Sequence, residues 1–543
     1  MRRRKNTRQA PRPVSVTPYY VLLVVVVLFF GLIRFRLRDI PLERDEGEYA
    51  YAGQLLLQGI PPYTLAYNMK LPGTYAAYAV IMTIFGQTPA GIHVGLLMVN
   101  AATTVLVFFL VRRVFDSTAG AVAATSYALL STSPWVVGFA AHATHFVVLA
   151  AISGTLVLLN AIRSRRALTL FLSGVLFGMA FLMKQPGICF VAFAVVCLVK
   201  SHWQQKVGWR DLGRRLTLFC CGVGLPCALT YMWLWRAGVL YRFWFWTFTY
   251  ARHYATMVSF RDAANLFLNE SSNVIGPAVP IWCIAAIGLI EISLTRKSSG
   301  PLFLPAAFIV CSFLAVCPGL YFRAHYFILM LPAVSLFAGA AISTTTKKFR
   351  DRRNLRPYRL LPTLVFLIAV GYVISRQWAF LFEMDPIVAC RWRYSPNPFP
   401  EAMPIGDYLK AHTSPSESIA VIGSEPEIYF YSQRRSATGY IYTYALMEEQ
   451  PYALTMQKEM VSEIEQARPK YLVFVNVSLS WLRRPESPQF LFDWVQKYVA
   501  DGYEPAGIID IFENDTQYKW GEDAKGYRLI SPDNVQIFKR TSS

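Results

Sequence analysis

Apolar runs of roughly 17 to 25 residues, the length that crosses a ~30 Å hydrocarbon layer, follow one another from near residue 19 to residue 376. They fall near 19–37, 90–111, 118–138, 146–162, 167–183 and 186–200. Further runs lie near 214–236, 277–295, 301–317, 326–344 and 360–376, so the pattern predicts about eleven membrane-spanning helices. The first run follows MRRRKNTRQAPRPVSVTPYY and imitates a signal peptide, but it is long and lacks a small-residue cleavage site; it reads as a retained span. Lys184-Gln185-Pro186 breaks the stretch 167–200. Proline cannot continue helical hydrogen bonding and lysine at depth is costly, so the break is placed in a turn at the outer surface.

Two of the joints are too long for turns. Segment 38–89 contains RDEGEYAYAGQLLLQG, with apolar residues at helical spacing, then the extended stretch YTLAYNMKLPG, then a second apolar helix over 73–86. The spacing predicts an amphipathic helix lying on the membrane surface. Segment 238–276 carries FWFWTFTY, a composition suited to the headgroup level. After residue 376 the pattern becomes that of an α/β domain: strands near 417–422, 470–475, 505–511 and 526–539, and helices near 425–431, 453–468 and 487–500.

Composition agrees with this division. The 543 residues are 54% hydrophobic and only 16% charged, too apolar for one water-soluble core. The formal charge of +20 sits in short clusters between apolar runs, which argues for cytoplasmic loops and against nucleic acid. With the basic N-terminus 1–18 inside, the span count assigns Arg112-Arg113, Arg163 to Arg166, Lys206 to Arg215, Arg296-Lys297 and the Lys347–Arg359 cluster to the cytoplasm, and 377–543 to the outside. The nine cysteines form no paired CxxC frame and read as small buried hydrophobes. No Gly-rich phosphate loop occurs. The triplets at Asn269, Asn476 and Asn514 do not decide between periplasm and ER lumen.

The outward-facing ionisable residues carry the chemistry. Asp45-Glu46 opens the first surface helix, where acidic residues also suit the macrodipole. Glu48 and Tyr49 continue it, Lys70 lies in the extended stretch, and Arg34, Arg36 and Arg38 flank the membrane boundary, where an anion would compensate them. His142, His145, Lys184, Arg252, His253, Arg323 and His325 fall on the same side by topology. Moving a sugar from a lipid phosphate requires a base for the acceptor hydroxyl and cations for the departing phosphate, and a carboxylate beside Lys and Arg supplies both. The histidines lack HExxH-like spacing, so no metal or other cofactor is assigned, although a divalent metal remains compatible.

The first span followed by DEGEYAYAGQLLLQG, with Lys70 shortly before Pro72, KQPG at 184–187 and RAHYFILMLP at 323–332, resembles the GT-C fold glycosyltransferases, among them protein O-mannosyltransferases and the lipid A aminoarabinose transferase. The resemblance covers roughly 19–376 and implies a polytopic α-helical GT-C module with an extracytoplasmic α/β domain, 377–543. It implies Asp45 as catalytic base, with Glu46 beside it, Lys70 on the carrier phosphate, and Tyr49 lining the cavity. Arg252 and Arg323 join Lys70 as phosphate ligands, and Glu48, His145, Lys184, His253 and His325 complete the expected cavity. The chain departs from the aminoarabinose transferase in having Glu48 where that enzyme has arginine, and His145 stands where an acidic residue is common.

The expected activity is inverting hexosyl or pentosyl transfer from a polyprenyl-phosphate-linked sugar to an envelope lipid, glycan or protein, in a bacterial inner membrane, with the site facing the periplasm. The rival reading is a transporter or flippase of a lipid-linked sugar, which predicts ionisable residues at the bilayer midplane and paired broken helices.

Overall fold

The computed structural model describes residues 17–206, 208–294, 303–513 and 515–541. Most of the basic N-terminus, the Arg296-Lys297 pair and Asn514 lie outside the described residues. The first nine helices are α1 (Thr17–Arg36), α2 (Arg44–Leu57), α3 (Gly73–Phe85), α4 (Pro89–Val114), α5 (Ser117–Thr132), α6 (Ala143–Ser164), α7 (Ala167–Met183), α8 (Ile188–Gln205) and α9 (Trp209–Arg236). Helices Phe260–Ile275, Val279–Leu294, Phe303–Val316, Leu331–Asp351 and Leu361–Arg376 complete the helical part.

A helix lies at each predicted apolar run. Eight stretches among the described residues are long and apolar enough to cross a membrane, and α3, α7 and Phe303–Val316 are shorter apolar helices. Helix α5 is also short, at 16 residues, and nearly all of it is buried. Its sequence explains this: small Ala, Gly, Ser and Thr side chains let neighbouring backbones approach closely. A Cβ on Gly339 of helix Leu331–Asp351 would stand 2.3 Å from the Ala119 carbonyl oxygen of α5, so only glycine permits that crossing. By contrast α1 keeps Leu23, Val26, Phe30 and Ile33 inward and leaves Val25, Leu28 and Leu32 on its outer face, the pattern of a helix at the edge of a bundle in lipid.

The arginines at the end of α1 belong to the fold. Arg34 is buried and donates to the carbonyls of Ser131 (2.6 Å) and Gly138 (2.8 Å), satisfying acceptors where α5 ends. Arg36 donates to the carbonyls of Phe380, Leu381 and Met384, and Arg38 pairs with Asp39. Backbone oxygens and a neighbouring carboxylate therefore take the place of the phosphate partner expected for these three.

The C-terminal part carries a six-stranded mixed sheet in the order β2-β1-β3-β6-β4-β5, built from β1 (Ser418–Ile422), β2 (Arg435–Ser436), β3 (Tyr471–Asn476), β4 (Tyr503–Ile511), β5 (Thr516–Trp520) and β6 (Asn534–Arg540). β1 pairs in parallel with β2 and β3, and the other pairings are antiparallel. Strand β5 and helices Pro386–Tyr394 and Phe399–His412 were not anticipated, and the expected strand 526–539 contracts to β6.

Helix α2 differs most from expectation. Almost every residue is buried, because α2 is held between α3 and the helix Glu427–Ser432 of the C-terminal domain rather than resting on a membrane surface. Gly47 makes this possible: a Cβ there would lie 2.6 Å from the Glu427 backbone nitrogen.

Candidate active site

The start of α2 is fixed by Glu43, whose carboxylate accepts from the Glu46 backbone N–H at 3.0 Å. The capping role thus falls to Glu43 and leaves Asp45 free. One helical turn then aims each side chain differently. Arg44 points to the C-terminal domain, donating to Glu425 Oε1 (2.8 Å), the Ser424 carbonyl (2.5 Å), the Tyr444 hydroxyl (2.7 Å) and Asn397 Oδ1 (2.9 Å). Glu46 points into the bundle, where it accepts from the Ala141 N–H (2.6 Å) and lies 3.0 Å from His93 Nε2. It is 1% exposed and does not line the cavity, so its place beside Asp45 in sequence does not carry into space.

Asp45 faces a cavity of about 220 Å³ between the helical bundle and the C-terminal domain. Lys70 Nζ lies 2.7 Å from Asp45 Oδ1 and 2.7 Å from Glu48 Oε2. The extended stretch that carries Lys70 is held in place by backbone pairing, Tyr67 N–H donating to the Gly439 carbonyl at 2.7 Å, and by the Tyr63 hydroxyl donating to the Lys70 carbonyl at 2.7 Å. Lys184, Arg323, His325 and Tyr49 line the same cavity, as expected. Lys184 sits in the break between α7 and α8, its ammonium 4.1 Å from the centre of the Tyr326 ring.

Five expected residues lie elsewhere. Glu48 is fully buried behind Lys70, and His145 is fully buried one helical turn into α6. Arg252 is exposed, and His253 packs its ring on Tyr452 at 5.7 Å. The short helix Ala251–Ala255 that carries these two presents Ala251, Tyr254 and Ala255 to the cavity instead. Glu46 is the fifth.

Electrostatics sort the groups at the cavity wall. Burial alone would raise the Asp45 carboxyl, but Lys70 outweighs it and holds Asp45 well below the usual carboxylate range. Burial would lower the Lys70 ammonium, yet Asp45 and Glu48 keep it charged, well above its ordinary value. Lys184 is different: burial, opposed by Asp45 but reinforced by Lys70 and Arg323, pushes it down to about 7. Burial likewise pushes His142 down to about 4, so its ring is neutral at pH 7.

His142 and His325 stack at 4.1 Å, and neither ring nitrogen of His142 has a hydrogen-bond partner among the described residues. With Asp45 they form a set of three donor atoms within 4.8 Å of one another. Two neutral imidazoles and a carboxylate suit a divalent ion such as zinc. These three residues would hold the ion, which would supply Lewis-acid polarisation.

The C-terminal domain completes the cavity. Tyr442, Tyr444 and Glu448 come from it, and Tyr250, of a π-helical turn at Phe245–Tyr250, donates to Glu448. Tyr254 stacks on Tyr321 at 4.6 Å nearby. None of these was anticipated. The aromatic run 243–250 is visible in the sequence, where its composition suits the headgroup level, and nothing local marks 442–448.

Residues 70–235 match the family described as dolichyl-phosphate-mannose-protein mannosyltransferase. Among solved structures, ArnT from Cupriavidus metallidurans bound to undecaprenyl phosphate aligns with a TM-score of 0.61 at 14% identity, covering 96% of this chain and 98% of that one. The apo oligosaccharyltransferase of Archaeoglobus fulgidus aligns with a TM-score of 0.52 at 13% identity, covering 93% of this chain and 75% of that one. No curated protein sequence matches. The chain is an integral membrane protein of the GT-C glycosyltransferase fold, as its resemblance at the sequence level implied.

Proposed function

We propose that the protein transfers a monosaccharide from a polyprenyl-phosphate carrier to a hydroxyl-bearing acceptor, with inversion at the anomeric carbon. The observation that carries the reading is the junction of one ionised carboxylate, Asp45, with Lys70, Lys184 and Arg323 in a single cavity bounded by membrane helices. Asp45 accepts the acceptor's proton as the new C–O bond forms. The bond from the anomeric carbon to the phosphate oxygen breaks on the opposite side, and its electron pair stays on the phosphate. The three cations stabilise the charge that develops there.

Lys184 replaces Arg252 in this assignment, beside Lys70 and Arg323, since Arg252 is exposed and does not line the cavity. The cavity is lined by both the bundle and the C-terminal domain, and the basic clusters Arg112-Arg113 and Lys347-Lys348 lie at the far ends of helices Pro89–Val114 and Leu331–Asp351. That charge distribution supports an extracytoplasmic cavity. The ArnT structure holds undecaprenyl phosphate, which supports the same class of carrier here.

The test is Asp45→Asn in reconstituted vesicles, followed by transfer of labelled sugar from lipid extract to acceptor. A loss of ~10²–10⁴-fold with insertion intact is expected for removal of a general base. Wild-type turnover by the variant refutes the assignment, and sugar crossing the bilayer without bond cleavage refutes the reaction class.

A further inference from the structure

Lys70 faces two competitors. Its ammonium bridges Asp45 and Glu48 at 2.7 Å each, and its side chain retains 21% exposure toward the cavity, where a phosphate would meet it. Glu48 is not a second base, because it is fully enclosed and has no access to the cavity. Its carboxylate accepts from Lys70 and from Asn68 Nδ2 (2.7 Å) on one oxygen, and from the Tyr75 hydroxyl (2.6 Å) on the other. Lys70 and Asn68 Nδ2 can only donate to it and the Tyr75 hydroxyl is placed to donate, so that, although burial raises the carboxyl, its surroundings are those of an acceptor paired with the Lys70 charge.

We propose that Glu48 is a positioning residue that holds Lys70 beside Asp45 and draws it back from the spent carrier, so that product release depends on exchange of Lys70 between Glu48 and the carrier phosphate. This inference rests on the carrier reading above and adds a role for a residue that touches no substrate. The reason lies in the charge of the phosphate. In the donor it is a diester with one negative charge, whereas after transfer it is a monoester carrying about −1.5 to −2 at pH 7. The cations that stabilise the departing phosphate therefore bind the product more strongly than the donor. A buried anion that reclaims one of them offsets this trap. Lys184 and Arg323 have no carboxylate within salt-bridge distance among the described residues, so Lys70 is the cation whose attachment is shared.

The probe is undecaprenyl phosphate binding to the purified full chain in nanodiscs. Glu48→Gln keeps the shape but removes the competing charge, so binding should tighten on the order of tenfold. In turnover, kcat and the donor KM should fall together. Tyr75→Phe acts in the opposite direction: Glu48 loses one donor, holds Lys70 more firmly, and carrier binding should weaken. Misfolding produces loss but not a gain in affinity. Equal or weaker binding by a folded Glu48→Gln protein overturns the inference while wild-type binding stands. If Glu48→Gln does not fold, unchanged or tighter binding by Tyr75→Phe overturns it. Failure of the wild-type protein to bind the probe overturns the carrier reading itself.

Discussion

Glu427 provides a test of how the C-terminal domain is joined to α2. It is fully buried against Gly47 of α2, and neither carboxyl oxygen has a hydrogen-bond partner among the described residues. Burial, reinforced by Glu425 and Glu43 and only partly opposed by Arg44, lifts its pKa well above the ordinary 4.5. The native state therefore keeps a proton that the unfolded chain releases. Stability is fully present below about 4.5 and declines as pH rises toward the folded value, at ~1.4 kcal/mol per pH unit. The cost therefore grows with pH and is larger at pH 7 than at pH 5. Glu427→Gln keeps a neutral group of the same shape, which removes this term while leaving the packing nearly unchanged. Thermal unfolding in detergent at pH 5 and pH 7.5 should show a small gain at the lower pH and a larger one at the higher. For a domain of this size each kcal/mol regained raises the melting temperature by roughly 2–4 °C. A variant that melts lower than wild type at pH 7.5 would mean that Glu427 is ionised and paired through Arg44, and the reasoning would fail.

Two more predictions concern the site and its support. Lys184, held at about 7, loses its charge as pH rises through neutrality, so kcat/KM for the lipid donor should fall across that range. Lys184→Arg should remove this limb, because a guanidinium stays charged, and a pH–rate profile unchanged by the substitution would contradict the phosphate role. Arg44→Met leaves Glu425 buried without its cation, a loss of ~3–5 kcal/mol for a broken buried pair. Limited proteolysis should then cut near residues 395–398 faster than in wild type, and an unchanged rate would show that the pair does not hold the domain in place.

The bundle was legible in the sequence because each apolar run is constrained by bilayer thickness and therefore announces itself locally. Lys184 and Arg323 were legible for a related reason: ionisable groups at helix ends are costly near lipid, so their presence on one side demanded an explanation. Arg34 shows the weakness of the same argument. Its charge does require a partner, but carbonyl oxygens at the end of α5 provide one, and an anion was never needed. Tyr442 and Glu448 were hidden because their neighbours at the cavity lie hundreds of residues away in sequence, and hydrophobic period carries no information about such pairings.

The motif Arg44-Asp45-Glu46-Gly47-Glu48-Tyr49 shows where the boundary between the legible and the hidden falls. On a helix, residues three and four apart share a face. Arg44 and Gly47 form one face, docked on Glu425 and Glu427 of the C-terminal domain. Asp45, Glu48 and Tyr49 form another, gathered around Lys70, whose ammonium lies 4.5 Å from the centre of the Tyr49 ring. Glu46 alone turns to the bundle, toward Ala141 and His93. Helical spacing gives this partition without a structure, but not which face meets water, lipid or protein. A charged helix beside the membrane suggested a surface location. Burial on three sides follows only once the partner for each face is known: a basic side chain from the extended stretch, a backbone N–H from the bundle, and an acidic helix whose backbone needs the space left by Gly47. Helix α2 is thus held by three separate parts of the chain, which makes the placement of Asp45 a property of the assembled molecule rather than of α2 alone.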